Sequence, residues 1–376
     1  MAIDLNKLVK GIYEANVLNE TLTGDTSVPD FAFNILNTMG LLYTPVVDEN
    51  YLSHDGKRPV WPNTNAFAVC LTHDVDEVSL YSYRQSLRGI QRPPKNSRLR
   101  FHSIRKAFGL GLNTIRITKN LFNKDPLHCY ERWLEIEKAY DAKSTFFFWP
   151  GWRNVTKHHH SDSTYELDDC VVFDRQKCTV TEMIQEIHRR DWEIGLHPSW
   201  YAFNDVDELK RQKEALETAL ESSVHSVRQH YLHYDIRNTP RVHSEAGFKY
   251  DSTLGFNDNI GFRFGTCYPW NLYDLKADQK LPIVEIPLIV QDVAMLSPNK
   301  GLRLNWEMAL DYIVLMTERV NQVGGVLTLL WHTNEIINLE SLRVYKKSLE
   351  YLKRQNCWMT TVRQVGDWWT QRSKTI

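Results

Sequence analysis

The sequence predicts an α/β protein whose strands pair mainly in parallel. Short apolar or β-branched segments alternate along the chain with helical segments, which is the pattern of strand–helix–strand units. Polar side chains able to bind a metal or move a proton stand at the ends of several strand-like segments, where barrels and open parallel sheets place their active sites. The chain has 376 residues, 42% of them hydrophobic, which is enough to bury one large core. We therefore expect one main α/β domain with a smaller appendage.

Composition and charge narrow the class of protein. The formal net charge is -1, so nothing about the chain as a whole calls for nucleic acid or an anionic membrane. The six cysteines show no CxxC spacing, which favours free thiols in a reducing compartment over a disulfide scaffold or a zinc knuckle. The sequence shows neither a signal-peptide pattern nor an unbroken apolar run of about 18 residues. We expect a cytoplasmic protein without a nucleic-acid partner.

The first part of the chain differs in composition from the rest. It mixes short helical patterns with the turn-rich segment DENYLSHDGKRPVWPNTN. The sequence therefore predicts an N-terminal extension, residues 1–64, that packs on a main domain formed by residues 65–376.

The first strand-like segment, AFAVCLT, leads directly to two aspartates. Asp74 and Asp76 are two residues apart, and alternate residues of a strand share a face, so both carboxylates can point into one cavity. Two ionised carboxylates in one cavity repel each other unless a cation binds one of them or a proton neutralises it. A divalent metal held by one of them would lower the pKa of a bound water and leave Asp74 free as the base. The alternative is that both side chains simply cap the strand in solvent.

A basic segment follows this strand. Residues 78–124 contain eleven Lys or Arg side chains and no acidic residue, and residues 103–122 have the pattern of a basic amphipathic helix. We predict an insertion with two alternative roles. Acidic groups elsewhere in the protein neutralise it, or it makes peripheral contact with an anionic membrane surface.

Strand-like and helix-like segments then alternate to the end of the chain. The predicted strands are STFFFWP, WEIGL, SVRQHYL, VEIPLIV, GVLTLLW and CWMTTV, and two predicted helices are TEMIQEIHRR and DVDELKRQKEALETALES. Thr179 stands three residues before Glu182, the spacing of a capping box at a helix start. His197 and His332 follow two of the strands, and Arg228 and His230 lie within a third.

Five segments in this order resemble the motifs of the polysaccharide deacetylase family, the NodB-homology or carbohydrate esterase family 4 type. They are THDVD, HPSWYAF, RQHY, GFKYDSTLGF and LTLLWH, and they extend over about residues 65–335. The resemblance implies an irregular (β/α)7 barrel. Composition adds the N-terminal extension and the basic helical insertion after the first strand, which belongs to none of the motifs. The resemblance also implies metal-dependent removal of an acetyl group from a sugar, with zinc as the usual metal.

The resemblance also assigns roles to the metal-ligating residues. Asp74 falls on the catalytic base, Asp76 on the metal-ligand aspartate and His197 on the first histidine of the metal motif. The second histidine of that motif is replaced by Tyr201, although catalytic zinc normally has three protein ligands. His230 stands where the family has a proline, and we predict that it supplies the missing imidazole. Water and Tyr201 remain alternatives for the third ligand.

The remaining motif residues complete the expected site. Arg228 matches the arginine that holds the catalytic aspartate, and the backbone N–H of Tyr231 matches the donor to the oxyanion. His332 matches the acid that protonates the leaving group, and Asp251 is expected to support the arginine or a histidine. His73 alternates away from Asp74 and is expected to be packed beside the site.

Two further features carry weaker expectations. The histidine run 158–160 lies in a polar segment and is expected to be solvated rather than metal-binding. Aromatic side chains cluster in or beside strand-end loops, where flat rings suit sugar faces. They are Trp149, Trp152, Trp200, Tyr201 and Trp270.

The sequence therefore predicts a cytoplasmic, metal-dependent carbohydrate deacetylase with an acetylated saccharide substrate. Two alternatives stay open: an amidohydrolase acting on a small non-sugar amide with the same barrel, and a non-catalytic glycan-binding relative. The sugar, its linkage, the acyl group and the oligomeric state do not follow from the sequence, nor does it say whether the substrate is polymeric, lipid-linked or nucleotide-linked.

Overall fold

The computed structural model describes residues 3–21, 35–80 and 125–375. Almost all of the basic segment 78–124 lies outside the described residues, including the predicted amphipathic helix at 103–122 and its membrane contact. Among the helices that are described, none is long and apolar enough to cross a membrane.

Twelve strands are found in the described part of the chain. They are β1 (Phe67–Val75), β2 (Thr145–Phe148), β3 (Cys170–Phe173), β4 (Gln176–Thr179), β5 (Glu193–Leu196), β6 (Ser226–Val227), β7 (Tyr250–Asp251), β8 (Trp270–Asp274), β9 (Gln279–Glu285), β10 (Val290–Gln291), β11 (Val326–Leu330) and β12 (Cys357–Thr360).

The main sheet is parallel except for β8, which pairs antiparallel with β9, and it curls on itself. Its order runs β10, β11, β1, β2, β5, β6, β7 and β9, and each of these neighbours pairs in parallel. β9 and β10 belong to one continuous segment, Gln279 to Gln291, whose first part pairs with β7 and whose end pairs with β11. That segment joins the two sides of the sheet, so seven strand positions form an irregular barrel. The predicted (β/α) barrel is confirmed.

Helices cover the outside of the sheet. They are α1 (Leu5–Val9), α2 (Ile12–Thr21), α3 (Ile35–Thr38), α4 (Val46–Ser53), α5 (Glu131–Ala139), α6 (Val180–Arg189), α7 (Val206–Leu220), α8 (Thr239–Glu245), α9 (Asp292–Leu296), α10 (Trp306–Val323), α11 (Leu339–Lys353) and α12 (Val362–Thr375). α6 starts with the predicted capping box, in which Thr179 and Glu182 each bond the other's backbone N–H. All six cysteines are free thiols.

Two predicted strands differ from those observed. The segment predicted as a strand over 226–232 keeps only the two residues of β6, because Tyr231 and Leu232 take positive φ angles of 58° and 51° and turn the chain sharply. β12 pairs only with the first half of β1, at Phe67 to Cys70, so it lies beside the barrel rather than in it. Both differences arise from tertiary packing that the hydrophobic pattern does not contain.

Hydrogen bonds join the N-terminal residues to the main domain. The buried carboxylate of Asp48 in α4 accepts from Thr266 Oγ1 at 2.5 Å and from the backbone N–H of Cys267 at 2.8 Å. The indole of Trp61 donates to the carbonyl of Gly324 at 2.9 Å. The division of the chain at residue 64 remains a prediction.

Candidate metal centre and active site

The carboxyl-terminal ends of the barrel strands surround one cavity of about 260 Å³. Asp74 and Asp76 reach it from β1, which is buried along its whole length. His197 follows β5 and His332 follows β11, while His230 lies in the turn after β6. Because parallel strands end at the same edge of a sheet, residues more than 250 positions apart in the sequence meet here.

Three atoms of types that can ligate a metal lie close together in this cavity. One carboxylate oxygen of Asp76 lies 3.3 Å from His197 Nε2 and 3.3 Å from His230 Nδ1. The two histidine nitrogens are 2.9 Å apart. Asp76, His197 and His230 form the group that could hold a metal ion among the residues described.

Backbone carbonyls orient both imidazole rings. His197 Nδ1 lies 2.7 Å from the carbonyl of Arg228, and His230 Nε2 lies 2.9 Å from the carbonyl of Ser161. A carbonyl only accepts, so these two nitrogens carry the protons. In the neutral rings, His197 Nε2 and His230 Nδ1 therefore present lone pairs to each other and to Asp76.

Lone pairs at such distances repel unless a cation lies among them. Asp76 Oδ1 is buried and has no hydrogen-bond partner within the described structure. Burial opposes ionisation of Asp76, yet the two histidines hold its pKa well below the usual range, and Asp76 in turn raises the pKa of His230. Tetrahedral zinc with bonds of about 2.0–2.1 Å separates its ligand atoms by about 3.4 Å. The donor types and their spacing therefore fit a divalent metal.

Asp74 is placed beside this group with one oxygen left unsatisfied. Its side chain is buried, and Oδ1 has no hydrogen-bond partner in the described structure. Arg228 Nη1 lies 3.7 Å from that oxygen, and His197 Nε2 lies 3.8 Å from the other. A buried carboxylate that lines the cavity and lacks a full set of hydrogen bonds is suited to accept a proton from a group bound there.

Arg228 is held firmly behind Asp74. Its guanidinium is fully buried and donates to Thr72 Oγ1 and to the side-chain and backbone oxygens of Ser252 at 2.8–2.9 Å. The ring of Phe147 supports it at 4.8 Å. Gly195 leaves space for that ring, because a Cβ there would lie 2.5 Å from a ring carbon.

His332 faces the metal-ligating group from the opposite side. Its Nε2 lies 3.8 Å from Asp76, and its Nδ1 lies 2.7 Å from Asp292 Oδ1. Asp292 Oδ2 also accepts the backbone N–H of His332 at 2.7 Å. Burial alone would lower the pKa of His332, but Asp292, with smaller contributions from Asp76 and Asp74, raises it to about 10, so this imidazole holds a proton through neutral pH.

Tyr231 forms part of the cavity rim. Its positive φ turns the backbone after β6, and its carbonyl accepts from Asn257 Nδ2 at 2.8 Å. The side chain is 49% exposed, which is unusual for an aromatic residue in a buried site. A non-glycine residue in this backbone region costs about 1–3 kcal/mol and is typical of functional sites.

Other predicted residues lie away from the cavity. Tyr201 lies under the ammonium of Lys157, which is 4.0 Å from its ring centre. Tyr201 does not line the cavity among the residues described. The same holds for the four predicted tryptophans, Trp149, Trp152, Trp200 and Trp270. Of the two side chains considered for the third ligand, the structure brings His230 and not Tyr201 to Asp76.

The supporting residues also differ in part from expectation. Asp251 binds His243, with 2.7 Å between Oδ2 and Nδ1, rather than bonding Arg228 directly. His73 points away from the cavity, as expected, and lies 2.7 Å from the buried carboxylate of Glu137. The histidine run is not simply solvated, because His158 stacks on Trp152 with 3.5 Å between ring centres.

Sequence reasoning did not find two groups that position the site. Asp292 follows a predicted strand end and could have been found by the same rule that identified His332. The carbonyl of Ser161 is a backbone group in a loop outside all five motifs, so no residue type marked it.

Three solved structures share this fold over most of their length. A protein assigned as a polysaccharide deacetylase from Mycobacterium smegmatis covers 85% of this chain and 95% of its own, with a TM-score of 0.56 and 18% identity. Another, from Pseudomonas aeruginosa PAO1, covers 84% and 94%, with a TM-score of 0.52 and 15% identity. Puue allantoinase covers 83% and 93%, with a TM-score of 0.51 and 15% identity.

The likeness lies in the fold rather than in the sequence as a whole. No protein-family model matches the sequence, and no curated protein matches it significantly. The structural comparisons confirm the predicted NodB-homology type of barrel, in which the cavity described above occupies the carboxyl-terminal face of the strands.

Proposed function

We propose that this protein is a metal-dependent carbohydrate deacetylase, a hydrolase that removes an N- or O-acetyl group from a sugar of a polysaccharide or glycan precursor. One observation carries the proposal. Three metal-ligating atoms meet beside a buried carboxylate and a paired histidine, at the strand ends of a barrel shared with proteins assigned as polysaccharide deacetylases. An acetylated saccharide is the corresponding substrate.

Asp76, His197 and His230 would hold the divalent ion. Two imidazoles and one carboxylate suit zinc, and three protein ligands leave an open position. When bound, the ion would lower the pKa of a water molecule and polarise the acetyl carbonyl.

Asp74 serves as the general base. Its carboxylate lines the cavity and has spare hydrogen-bonding capacity, so it can take the proton of the attacking water. Arg228 keeps the side chain in place without consuming its hydrogen-bonding capacity, because its guanidinium bonds Thr72 and Ser252 instead.

His332 serves as the general acid on the opposite side. Asp292 holds its proton-bearing form and leaves Nε2 directed toward the cavity, where the leaving amine or alkoxide would take the proton. Tyr231 lines the cavity, and its backbone N–H would donate to the oxyanion of the tetrahedral intermediate.

The rim residues support a sugar rather than a bulky apolar ligand. The exposed ring of Tyr231 offers a flat face for a sugar ring. Asn257, Gln291 and Lys300 line the cavity with polar groups able to bond hydroxyls.

A second candidate is an amidohydrolase acting on a small non-sugar amide. The shared fold with an allantoinase favours it, since the same metal group, base and acid would serve both reactions. The two candidates differ in whether the enzyme turns over glycans or only small amides.

We place the protein in the cytoplasm, with residues 103–122 in contact with an anionic membrane surface. The support is the basic and apolar composition of that segment. Sedimentation with anionic and neutral vesicles tests the contact: binding to anionic vesicles that weakens with salt supports it, and absence of binding at low salt contradicts it.

An activity screen tests the proposed reaction. Protein purified without chelators and supplemented with zinc is incubated with N-acetylglucosamine oligomers, acetylated xylan and allantoin. We expect acetate release from at least one glycan by the wild type but not by Asp74→Asn. Turnover of allantoin alone would favour the second candidate. A glycan-bound protein with no turnover would point to the non-catalytic relative.

A further inference from the structure

His230 depends on a loop that belongs to none of the five motifs. Its Nε2 lies 2.9 Å from the carbonyl of Ser161, and its Nδ1 faces Asp76 and His197. Without that carbonyl, the ring could carry its proton on Nδ1 instead of Nε2. Nδ1 would then have no lone pair to offer a metal. The tautomer of His230 is thus decided by where the loop holds one backbone oxygen.

Asp162 fixes the loop at that point. Its side chain is only 4% exposed. One oxygen accepts the backbone N–H of Trp200 at 2.8 Å, and the other accepts the backbone N–H of His159 at 2.7 Å. The carboxylate of Asp162 therefore links the residues on either side of Ser161 to each other and to the segment that follows His197.

Stacked rings support the same loop. His159 stacks on Trp200 with 4.2 Å between ring centres, and Trp200 stacks on His233 at 4.0 Å. The stacking of His158 on Trp152 secures the beginning of the run. The histidines at 158 and 159 thus pack rather than bind metal.

We propose that Asp162 is a positioning residue, which acts through the Ser161 carbonyl to hold His230 in the tautomer that ligates metal through Nδ1. The inference rests on the proposed metal centre. It explains how the chain can have Tyr201 in place of the expected histidine: the third ligand comes from the turn after β6, and a separate loop orients it. Residues that orient metal ligands typically change metal affinity about 10- to 100-fold when removed.

Zinc affinity tests this role without relying on catalysis. Zinc binding is measured by competition with a chromophoric chelator for the wild type, Asp162→Ala and Asp162→Asn. We expect Asp162→Ala to bind zinc about 10- to 100-fold more weakly, and Asp162→Asn to recover part of the loss because its amide oxygen still accepts one N–H.

Asp169→Ala is the matched control. Asp169 also caps a nearby turn, where its carboxylate accepts the backbone N–H of Glu166 at 2.9 Å. It should retain wild-type affinity. Unchanged affinity in Asp162→Ala overturns this inference and leaves the metal centre standing, whereas a wild type that binds no zinc overturns both.

The wild type provides a second test if Asp162→Ala does not fold. Long-range ¹H–¹⁵N spectra of histidine-labelled, zinc-loaded protein distinguish the two ring nitrogens. We expect His230 to be metal-bound through Nδ1 with a proton on Nε2, and His197 to show the reverse. A proton on His230 Nδ1 would refute the proposed role of Ser161 and Asp162.

Discussion

The two faces of β1 carry polar clusters with opposite properties. On one face, Asp74 and Asp76 each keep a buried oxygen with no hydrogen-bond partner in the described structure. On the other, His73 and Glu137 are fully buried and fully bonded.

The bonded cluster uses every oxygen of Glu137. One oxygen accepts from Tyr345 and lies 2.7 Å from His73 Nε2, and the other accepts from Ser144 and Trp192, all at 2.5–2.9 Å. The remaining nitrogen of His73 lies 2.8 Å from a backbone carbonyl. Satisfied buried groups stabilise a fold, whereas unsatisfied ones cost free energy and persist where a ligand or a reaction uses them. The difference between the two faces therefore separates a structural cluster from a functional one.

The largest expected effect comes from breaking the unsatisfied face. Asp76→Ala should lose most of the bound metal, because it removes the only carboxylate of the metal-ligating group in the described structure. Asp74→Asn should keep the metal and lose about 10²- to 10⁴-fold in turnover, because the amide cannot accept the proton. Metal per chain is measured by mass spectrometry, and turnover by acetate release. Equal metal content in Asp76→Ala and the wild type would refute the model.

The next effect concerns stability, for which we expect the bonded cluster around Glu137 to matter more than the unsatisfied carboxylates. Glu137→Gln replaces one of the two acceptor oxygens by an NH₂ group, which cannot accept a hydrogen bond from the donors around it. We therefore expect the free energy of unfolding to fall by about 2–4 kcal/mol. Asp74→Asn should change the free energy of unfolding by about 1 kcal/mol or less, because Asp74 makes no direct hydrogen bond to Arg228, which keeps its bonds to Thr72 and Ser252. Urea denaturation measures both. A larger loss in Asp74→Asn than in Glu137→Gln would show that satisfaction of hydrogen bonds does not distinguish these clusters.

A smaller effect concerns the proton on His332. Because Asp292 raises its pKa to about 10, the acid form is present below that pH and is lost as pH rises through it. Asp292→Asn should move the alkaline limb of the pH–rate profile down by about one pH unit or more. The profile of kcat against pH tests this, with Asp169→Ala as a control at a residue that does not line the cavity. An unmoved limb would mean that another group is the acid.

The smallest effect concerns a third buried carboxylate, Asp48. Burial raises its pKa to about 7, although Thr266 and Cys267 donate to it. A raised pKa means that the folded state binds the proton more tightly, so this contribution to stability is complete below about pH 4 and is lost as pH rises through 7. In Asp48→Asn the change in Tm between pH 5 and pH 8 should shrink by a few degrees. If the Tm difference between pH 5 and pH 8 were the same in Asp48→Asn and the wild type, Asp48 would not be the source of that pH dependence.

Much of the site could be predicted because strand ends are marked in the sequence. An apolar segment followed by Asp74 and Asp76, or by His332, predicts that those residues lie at the same edge of a parallel sheet. Motif order then predicted the barrel. The side-chain period of a strand likewise predicted that His73 would lie on the opposite face from Asp74.

Tertiary structure alone decided the details that depend on backbone position. The turn at Tyr231 and Leu232 makes β6 shorter than the predicted strand and brings His230 close to Asp76. The carbonyl of Ser161 determines which ring nitrogen of His230 faces Asp76. A backbone carbonyl has no identity in a sequence, because every residue has one. Residue type and spacing thus determined which groups reach the cavity, whereas only the folded chain determined which atom of each group faces the metal position.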